Sequence, residues 1–172
     1  MNYLLDTNVL SELARPRPDD GVLARLEEVA DDAVIAAVVW HELRFGVARL
    51  PAGRRREALS AFVAGLAARF PVLPYDQGAA EWHAGERARL ERAGRSAPFA
   101  DGQIAAVAVT NGLRLVTRNV ADFAEFADVT VESWWTGGRG PTGRRTPSRE
   151  PAMPGTAVAP DPSVRPVQKE EP

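Results

Sequence analysis

The sequence predicts an α/β domain, a three-layer sandwich in which helices cover both faces of a mostly parallel central sheet. Short apolar runs typical of buried strands alternate along the chain with longer segments of helical periodicity. Gly, Pro, Asp and Asn residues separate these segments. The chain has 172 residues, of which 45% are hydrophobic, so it is large enough to bury a sizeable core.

Two strands and four helices are predicted in the first 70 residues. The apolar runs at 3–5 and 34–36 are short and continuous, as in strands that are buried on both faces. Within the helical segments apolar residues recur every three or four positions, and Pro, Gly or Asp residues mark most of the boundaries. These predicted helices cover residues 9–14, 19–29, 38–50 and 54–70.

Three strands and two helices are predicted in the next 65 residues. Asp76 caps a charge-rich helix that extends to about residue 92, and a loop at 94–98 precedes a helix that begins at Phe99. Asn111-Gly112 ends that helix with the left-handed conformation that glycine favours. The predicted strands cover residues 72–73, 113–117 and 129–131.

The composition changes abruptly after the second of two adjacent tryptophans, which gives a predicted folded domain at 1–135 and a tail at 136–172. The tail is rich in Pro, Gly, Ser, Thr and charged residues, with almost no large apolar side chain. Such a segment buries too little apolar surface to offset its ordering entropy, so we expect disorder there. It contains no counterpart of any motif discussed below.

The formal net charge of −2 is unevenly divided along the chain. Residues 137–172 carry six bases and four acids, a net charge of +2, which leaves −4 for the rest. An acidic body is unusual for a nucleic-acid-binding protein, and a divalent cation bound by clustered acids would offset part of it. The arginine triplet at 54–56 is interpreted as an exposed helix start, with contact to an RNA backbone as the alternative.

The composition also excludes several classes of site. The absence of cysteine excludes disulfides, thiolate zinc sites and cysteine nucleophiles. Met1 leads directly into a strand, and no apolar run approaches the roughly 20 residues needed to cross a bilayer. We therefore expect a cytoplasmic protein without a membrane partner.

Oxygen-bearing side chains recur where the predicted topology brings chain segments together. Asp6 ends the first strand, Glu42 lies beside the apolar stripe of a helix, Asp101 starts a helix, and Asn119 and Asp122 follow the fourth strand. Strand ends and helix starts of a parallel sheet project toward the same rim. Each acid alone is more commonly a helix cap or a half-exposed helix residue, but the joint pattern favours a site for a hard cation such as Mg²⁺ or Mn²⁺.

Four segments carry a resemblance to a known family and occur in that family's order. Together they resemble the motifs of PIN-domain proteins, and among these the VapC/FitB-like toxins of type II toxin–antitoxin pairs. The resemblance implies a Mg²⁺- or Mn²⁺-dependent ribonuclease that cleaves RNA, is inhibited by a cognate antitoxin and is commonly a homodimer. The segments are residues 4–12 (Leu-Leu-Asp-Thr-Asn-Val-Leu-Ser-Glu), 42–47 (Glu-Leu-Arg-Phe-Gly-Val), 101–106 (Asp-Gly-Gln-Ile-Ala-Ala) and 117–123 (Thr-Arg-Asn-Val-Ala-Asp-Phe).

The resemblance also assigns individual residues. Asp6, Glu42 and Asp101 match the family's metal-binding acids, and these three with Asn119 are the expected catalytic residues. Asn119 aligns with a fourth position that is acidic in some relatives, so its amide adds no negative charge to the site. Asp122 is the candidate to compensate for that difference.

Two other functions are weighed against this one. Residues 5–8 also resemble the nucleophile loop of haloacid-dehalogenase-type phosphatases, but that loop needs a second aspartate where Asn8 stands. Those enzymes also use a lysine, and the only lysine of this chain, Lys169, lies in the tail. The remaining alternative is a non-catalytic PIN scaffold that binds RNA or a protein partner.

Overall fold

A computed structural model describes residues 1–136, which fold around a five-stranded sheet in the order β3-β2-β1-β4-β5. All four pairs of neighbouring strands are parallel, as the alternation of strands and helices predicted. The strands are β1 Tyr3–Leu5, β2 Ala33–Ala36, β3 Val72–Leu73, β4 Arg114–Val116 and β5 Val131–Glu132.

Six α-helices occur in residues 1–136, in the places where helical periodicity predicted them. Two 3-10 turns, Ala30–Asp32 and Val120–Phe123, lie before β2 and after β4. The helices are α1 Thr7–Glu12, α2 Asp20–Val29, α3 Ala37–Ala48, α4 Arg54–Arg69, α5 Gln77–Arg92 and α6 Phe99–Thr110.

The central strand β1 positions the candidate site. It pairs with β2 on one side and with β4 on the other, where Leu5 lies opposite Ile35 and Val116 respectively. The chain moves outward from β1 to β2 and β3, and then crosses back to β4 and β5. Right-handed connections that run in opposite directions place helices on both faces, which gives the predicted three-layer sandwich. The reversal of strand order beside β1 opens a crevice at the carboxyl ends of the strands.

The core contains many small residues where the layers pack closely against each other. All four residues of β2 are buried, and so are Ala105, Ala106 and Ala108 on α6. Gly102 lies so close to α5 that a Cβ atom there would stand 2.3 Å from Nε2 of the buried His83. His83 therefore packs so closely against α6 that the position after Asp101 has no room for a side chain.

Three details of the predicted elements are revised by the structure. α1 begins at Thr7 rather than at residue 9, because the Asp6 carboxylate accepts a hydrogen bond from the Thr7 N–H and caps the helix. β4 is shorter than predicted, since only Arg114–Val116 pair with β1. β5 begins at Val131 rather than at residue 129, because its pairing with Leu115 starts there.

The predicted tail from residue 136 onward lies outside the described residues, except for Thr136 itself. Among residues 1–136, every helix is too short or too polar to cross a bilayer.

Candidate active site

Asp6 lies at the carboxyl end of β1 and is only 8% exposed. Its Oδ1 accepts a hydrogen bond of 2.6 Å from the Thr7 N–H, which also begins α1. Its Oδ2 accepts two further hydrogen bonds of 2.6 Å, from Nδ2 of Asn8 and from the hydroxyl of Thr117. Three donors therefore fix the orientation of a buried carboxylate and support its ionised form.

Thr117 ties the end of β4 to the end of β1. Its fully buried hydroxyl donates to Asp6 and accepts hydrogen bonds from Nδ2 of Asn8 at 2.9 Å and from the Asn119 N–H at 3.0 Å. The Arg118 N–H in turn donates to Oδ1 of Asn8 at 2.9 Å. Asn8 and Thr117 thus form a closed hydrogen-bond network around the Asp6 carboxylate.

Glu42 projects toward the same rim from α3. Its side chain is half-buried, and its Oε2 accepts a short hydrogen bond from the hydroxyl of Thr7. Because the N–H of Thr7 bonds Asp6 and its hydroxyl bonds Glu42, a single residue sets the positions of two acids.

Asp101 is the third residue of α6 and completes the cluster. Its pKa is raised to about 6, mainly because burial disfavours the charged form and further because the charges of Asp6, Asp122 and Glu42 oppose its ionisation. The pKa of Asp6 is also raised, first by burial and also by the charge of Glu42, although its hydrogen bonds to Thr117 and the Thr7 N–H act in the opposite direction. The four acids are therefore close enough to interact through their charges.

No arginine or amino-terminal group compensates these four acids within residues 1–136, where the salt bridges involve other carboxylates. The Asp101 carboxylate also lacks a hydrogen-bond donor among the side chains and backbone groups described. A cluster of this kind must be balanced by protons, by solvent or by a bound cation.

The donor chemistry fits a hard divalent ion, since all the available ligand atoms are carboxylate, amide or hydroxyl oxygens. In the arrangement that the described part of the chain adopts, however, three acid or histidine side chains do not converge closely enough to form a ligand set. Metal binding by Asp6, Glu42 and Asp101 therefore stays a prediction.

The two residues considered for the fourth position differ in their surroundings. Asn119 is exposed, and its side chain forms no hydrogen bond within residues 1–136, although its N–H bonds Thr117. Asp122 is also exposed, but its charge acts on Asp101. The 3-10 turn Val120–Phe123 brings Asp122 back toward the rim, an effect that motif spacing alone does not indicate.

A cavity in the described part of the chain lies away from these acids. It has a volume of about 400 Å³ at the amino ends of β1 and β4, where Asn2, Gly112 and Arg114 line it, and it contains none of the four acids. None of three cavities found in residues 1–136 is lined by these acids, which agrees with an open rim, and such a rim suits a polymeric substrate better than a small molecule.

Comparisons with known proteins agree with this architecture. A sequence profile described as PIN domain matches residues 3–129. The chain is 38% identical to the VapC ribonuclease Y4jK of Sinorhizobium fredii over 138 residues, which are 77% of this chain and 96% of that protein. It is 36% identical to Toxin FitB of Neisseria gonorrhoeae over 77% of this chain and 97% of that protein.

A solved structure gives the corresponding result in three dimensions. The crystal structure of FitAcB from Neisseria gonorrhoeae superposes with a TM-score of 0.69 at 36% sequence identity. The match covers 75% of this chain and 95% of that one.

Proposed function

This chain belongs to the PIN-domain family, and from that premise we propose that it is an endoribonuclease that cleaves RNA phosphodiester bonds with the help of Mg²⁺ or Mn²⁺. One observation carries the proposal: Asp6, Glu42, Asp101 and Asp122 gather at one rim, and no salt bridge within residues 1–136 balances them. Ribonuclease is also the activity named for a relative that shares most of its length with this chain.

The mechanism assigns the acids and their supports different tasks. Asp6, Glu42 and Asp101 would hold a divalent ion, which would activate a water for attack on phosphorus and stabilise the charge that develops on the phosphate oxygens. Thr117 and Asn8 donate hydrogen bonds that favour the ionised form of the Asp6 carboxylate and fix its orientation. Thr7 fixes the position of Glu42 relative to Asp6, because its hydroxyl bonds the first and its N–H bonds the second.

The open rim also determines how a substrate enters. An RNA strand crosses the ends of β2, β1 and β4 without entering a closed cavity, so cleavage within a chain is possible. Binding at such an edge does not require a free end of the polymer, and this favours endonucleolytic over terminal cleavage.

The biological setting follows from the relatives. The similarity to Toxin FitB supports the role of toxin in a type II toxin–antitoxin pair, with a cognate antitoxin as protein partner. Action on cellular RNA further implies a cytoplasmic location. Homodimerisation is expected from the family.

The test is cleavage of a mixed pool of transfer and ribosomal RNA by the purified full chain. We expect cleavage with Mg²⁺ or Mn²⁺, none with EDTA, and at least a hundredfold slower cleavage by Asp101→Asn. The variant loses a carboxylate that would hold the ion, and loss of a group that stabilises transition-state charge costs about 10²–10³ in rate. Glu91→Gln is the matched control, since Glu91 is an exposed acid on α5 that pairs with Arg87.

Two results would contradict the proposal. Cleavage that persists in EDTA or in Asp101→Asn would place the activity outside the acid cluster. Tight RNA binding without cleavage under any divalent ion would support the non-catalytic scaffold instead, and Asn119→Asp would then show whether the missing fourth charge is responsible.

A further inference from the structure

We propose that the hairpin formed by α3 and α4 is an arm that binds single-stranded RNA beside the candidate active site. The arm is defined as residues 40–57, which include most of α3, the connection and the first turn of α4. This inference rests on the proposed ribonuclease function, and it names the surface by which an acidic domain holds an anionic substrate.

The arm reverses the charge of the surrounding domain. It contains five arginines against two acids, a net charge of +3, whereas the other residues among 1–136 have a net charge of −7. A local concentration of arginine of this kind attracts the phosphates of nucleic acid even when the whole domain is acidic. The five are Arg44, Arg49, Arg54, Arg55 and Arg56.

These arginines are not engaged in ion pairs within residues 1–136, although the Arg44 guanidinium lies over the Trp40 ring, 5.8 Å from its centroid. All five are exposed, and none of them forms a salt bridge within residues 1–136. Three of them, at 54–56, occupy the first turn of α4, where positive charge opposes the helix dipole. Their charge therefore lowers helix stability slightly and remains available to an anionic partner. Salt bridges elsewhere in the described chain use Arg15, Arg25, Arg87, Arg89, Arg95 and Arg114.

One face of α3 leads from the acid cluster to this basic end. Glu42, Phe45, Gly46 and Arg49 are spaced at i, i+3, i+4 and i+7, so they lie on the same side of the helix. Arg49 lies seven positions after Glu42, which corresponds to about 10 Å along the axis. We call these four residues the stripe. Along it follow an acid, an aromatic ring, a glycine without a side chain and a cation.

Phe45 is the residue of the stripe on which a nucleic acid base could stack. Its side chain is 58% exposed, and the His41 ring lies parallel to it, with 5° between the planes and 6.2 Å between the centroids. A Cβ atom added at Gly46 would meet nothing within 4 Å, so the surface beside the ring is open. Exposed aromatic rings next to cationic side chains are the usual platform on which unpaired bases stack.

The alternation of arginine and aromatic groups favours RNA over an acidic protein segment as the occupant. An acidic peptide would be attracted by the arginines but repelled by Glu42 at the other end of the stripe. An RNA strand places phosphates on the arginines and a base on Phe45, and it delivers the next phosphate toward the acids.

The experiment compares two triple variants of the full chain that change the net charge equally. Arg54→Gln, Arg55→Gln and Arg56→Gln remove charge from the arm, and Arg17→Gln, Arg69→Gln and Arg92→Gln remove the same charge from exposed positions outside it. For each, kcat/KM is measured on a fluorescent single-stranded RNA oligonucleotide of mixed sequence at salt concentrations between about 50 and 200 mM.

We expect the arm variant to lose about two units of the slope of log kcat/KM against log salt, because each phosphate contact contributes about 0.7. The control variant should keep a slope closer to that of the unmodified chain. Phe45→Ala should weaken RNA binding about tenfold, whereas Phe45→Tyr should retain it, because stacking needs the ring.

Equal slopes for the two triple variants, in a chain that cleaves RNA, would overturn the inference and leave the proposed function intact. Loss of inhibition by the cognate antitoxin, with the RNA slope unchanged, would assign the arm to the protein partner and also overturn it. If the unmodified chain does not cleave, the proposed function fails first. Fluorescence anisotropy of the same variants with the same RNA in EDTA then decides whether the arm binds RNA.

Discussion

At the scale of single residues, the candidate site depends on a buried carboxylate that is kept in place by neutral donors. The Thr117 hydroxyl is its most buried partner, with no exposed surface, and it links Asp6 to Asn8 and to the Asn119 N–H. Removal of that hydroxyl would leave a buried acid with one donor fewer and would raise its pKa further.

Thr117→Val tests this role because valine keeps the shape of threonine without the hydroxyl. We expect the free energy of unfolding to fall by about 2 kcal/mol, the typical contribution of a hydrogen bond to a charged group. RNA cleavage should fall at least tenfold, since Asp6 loses its fixed orientation. Urea unfolding and initial cleavage rates measure the two effects.

Thr117→Ser is the matched control, since serine retains the hydroxyl. It should keep most of the activity. Equal activity of the valine and serine variants would show that Asp6 does not depend on this hydrogen bond.

At the scale of elements, α5 and α6 determine where Asp101 lies. Gly102 packs against His83 of α5, and this contact admits glycine because glycine has no Cβ atom. About one turn further along α5, Glu86 accepts hydrogen bonds from Arg89 at 2.6 and 2.7 Å and from the Ala127 N–H at 2.6 Å. Glu86 therefore ties α5 to the segment that follows the Asp122 turn.

Glu86→Gln tests this connection through its pH dependence. The pKa of Glu86 is lowered in the folded state, first by the Arg89 hydrogen bonds and also by the bond from Ala127, against an opposing effect of burial. Its contribution to stability is thus present above the unfolded value of 4.5 and is lost as the pH falls through the lower folded pKa. We expect Glu86→Gln to lower the free energy of unfolding by about 2 kcal/mol at pH 7 and by much less near pH 3.

Glu91→Gln provides the comparison, because Glu91 also pairs with an arginine of α5 but at an exposed position. Its effect should stay below about 1 kcal/mol at either pH. A pH-independent loss in Glu86→Gln would mean that packing rather than charge explains its role.

At the scale of the whole molecule, charges are placed where they suit the binding of ligands rather than the stability of the isolated domain. The charges of the four rim acids oppose one another, while the arm carries five arginines that form no salt bridge within residues 1–136. Both arrangements are unfavourable for the isolated domain, and each is relieved by a ligand of opposite charge. A cation at the rim and RNA on the arm would therefore both stabilise the fold.

The melting temperature in EDTA and in excess Mg²⁺ measures the first of these effects. Because the folded pKa of Asp101, about 6, lies above its unfolded value of 3.8, ionisation of this group at neutral pH disfavours folding. We expect Asp101→Asn to melt at a higher temperature than the unmodified chain in EDTA. The unmodified chain should gain about 2.7 kcal/mol when Mg²⁺ is present at 100 times its Kd, and the variant should gain less. An identical Mg²⁺ effect on both chains would place the bound ion elsewhere.

The sequence by itself determined the parallel α/β architecture, because short apolar runs such as 3–5 and 34–36 leave few alternatives to strands buried between layers. It also predicted that Asp6, Glu42 and Asp101 would face one rim, since strand ends and helix starts have fixed directions in such a sheet. Local patterns of apolar and capping residues carry this information directly.

Other properties depended on contacts between residues far apart in the chain. The closed network of Asp6, Asn8 and Thr117 joins two strands whose ends meet only after the sheet has formed. The raised pKa of Asp101 likewise requires the charges of Asp6, Asp122 and Glu42 to be brought together and partly removed from water. Charge interactions and burial depend on distance in space rather than in sequence, and for that reason the tertiary structure was needed to reveal them.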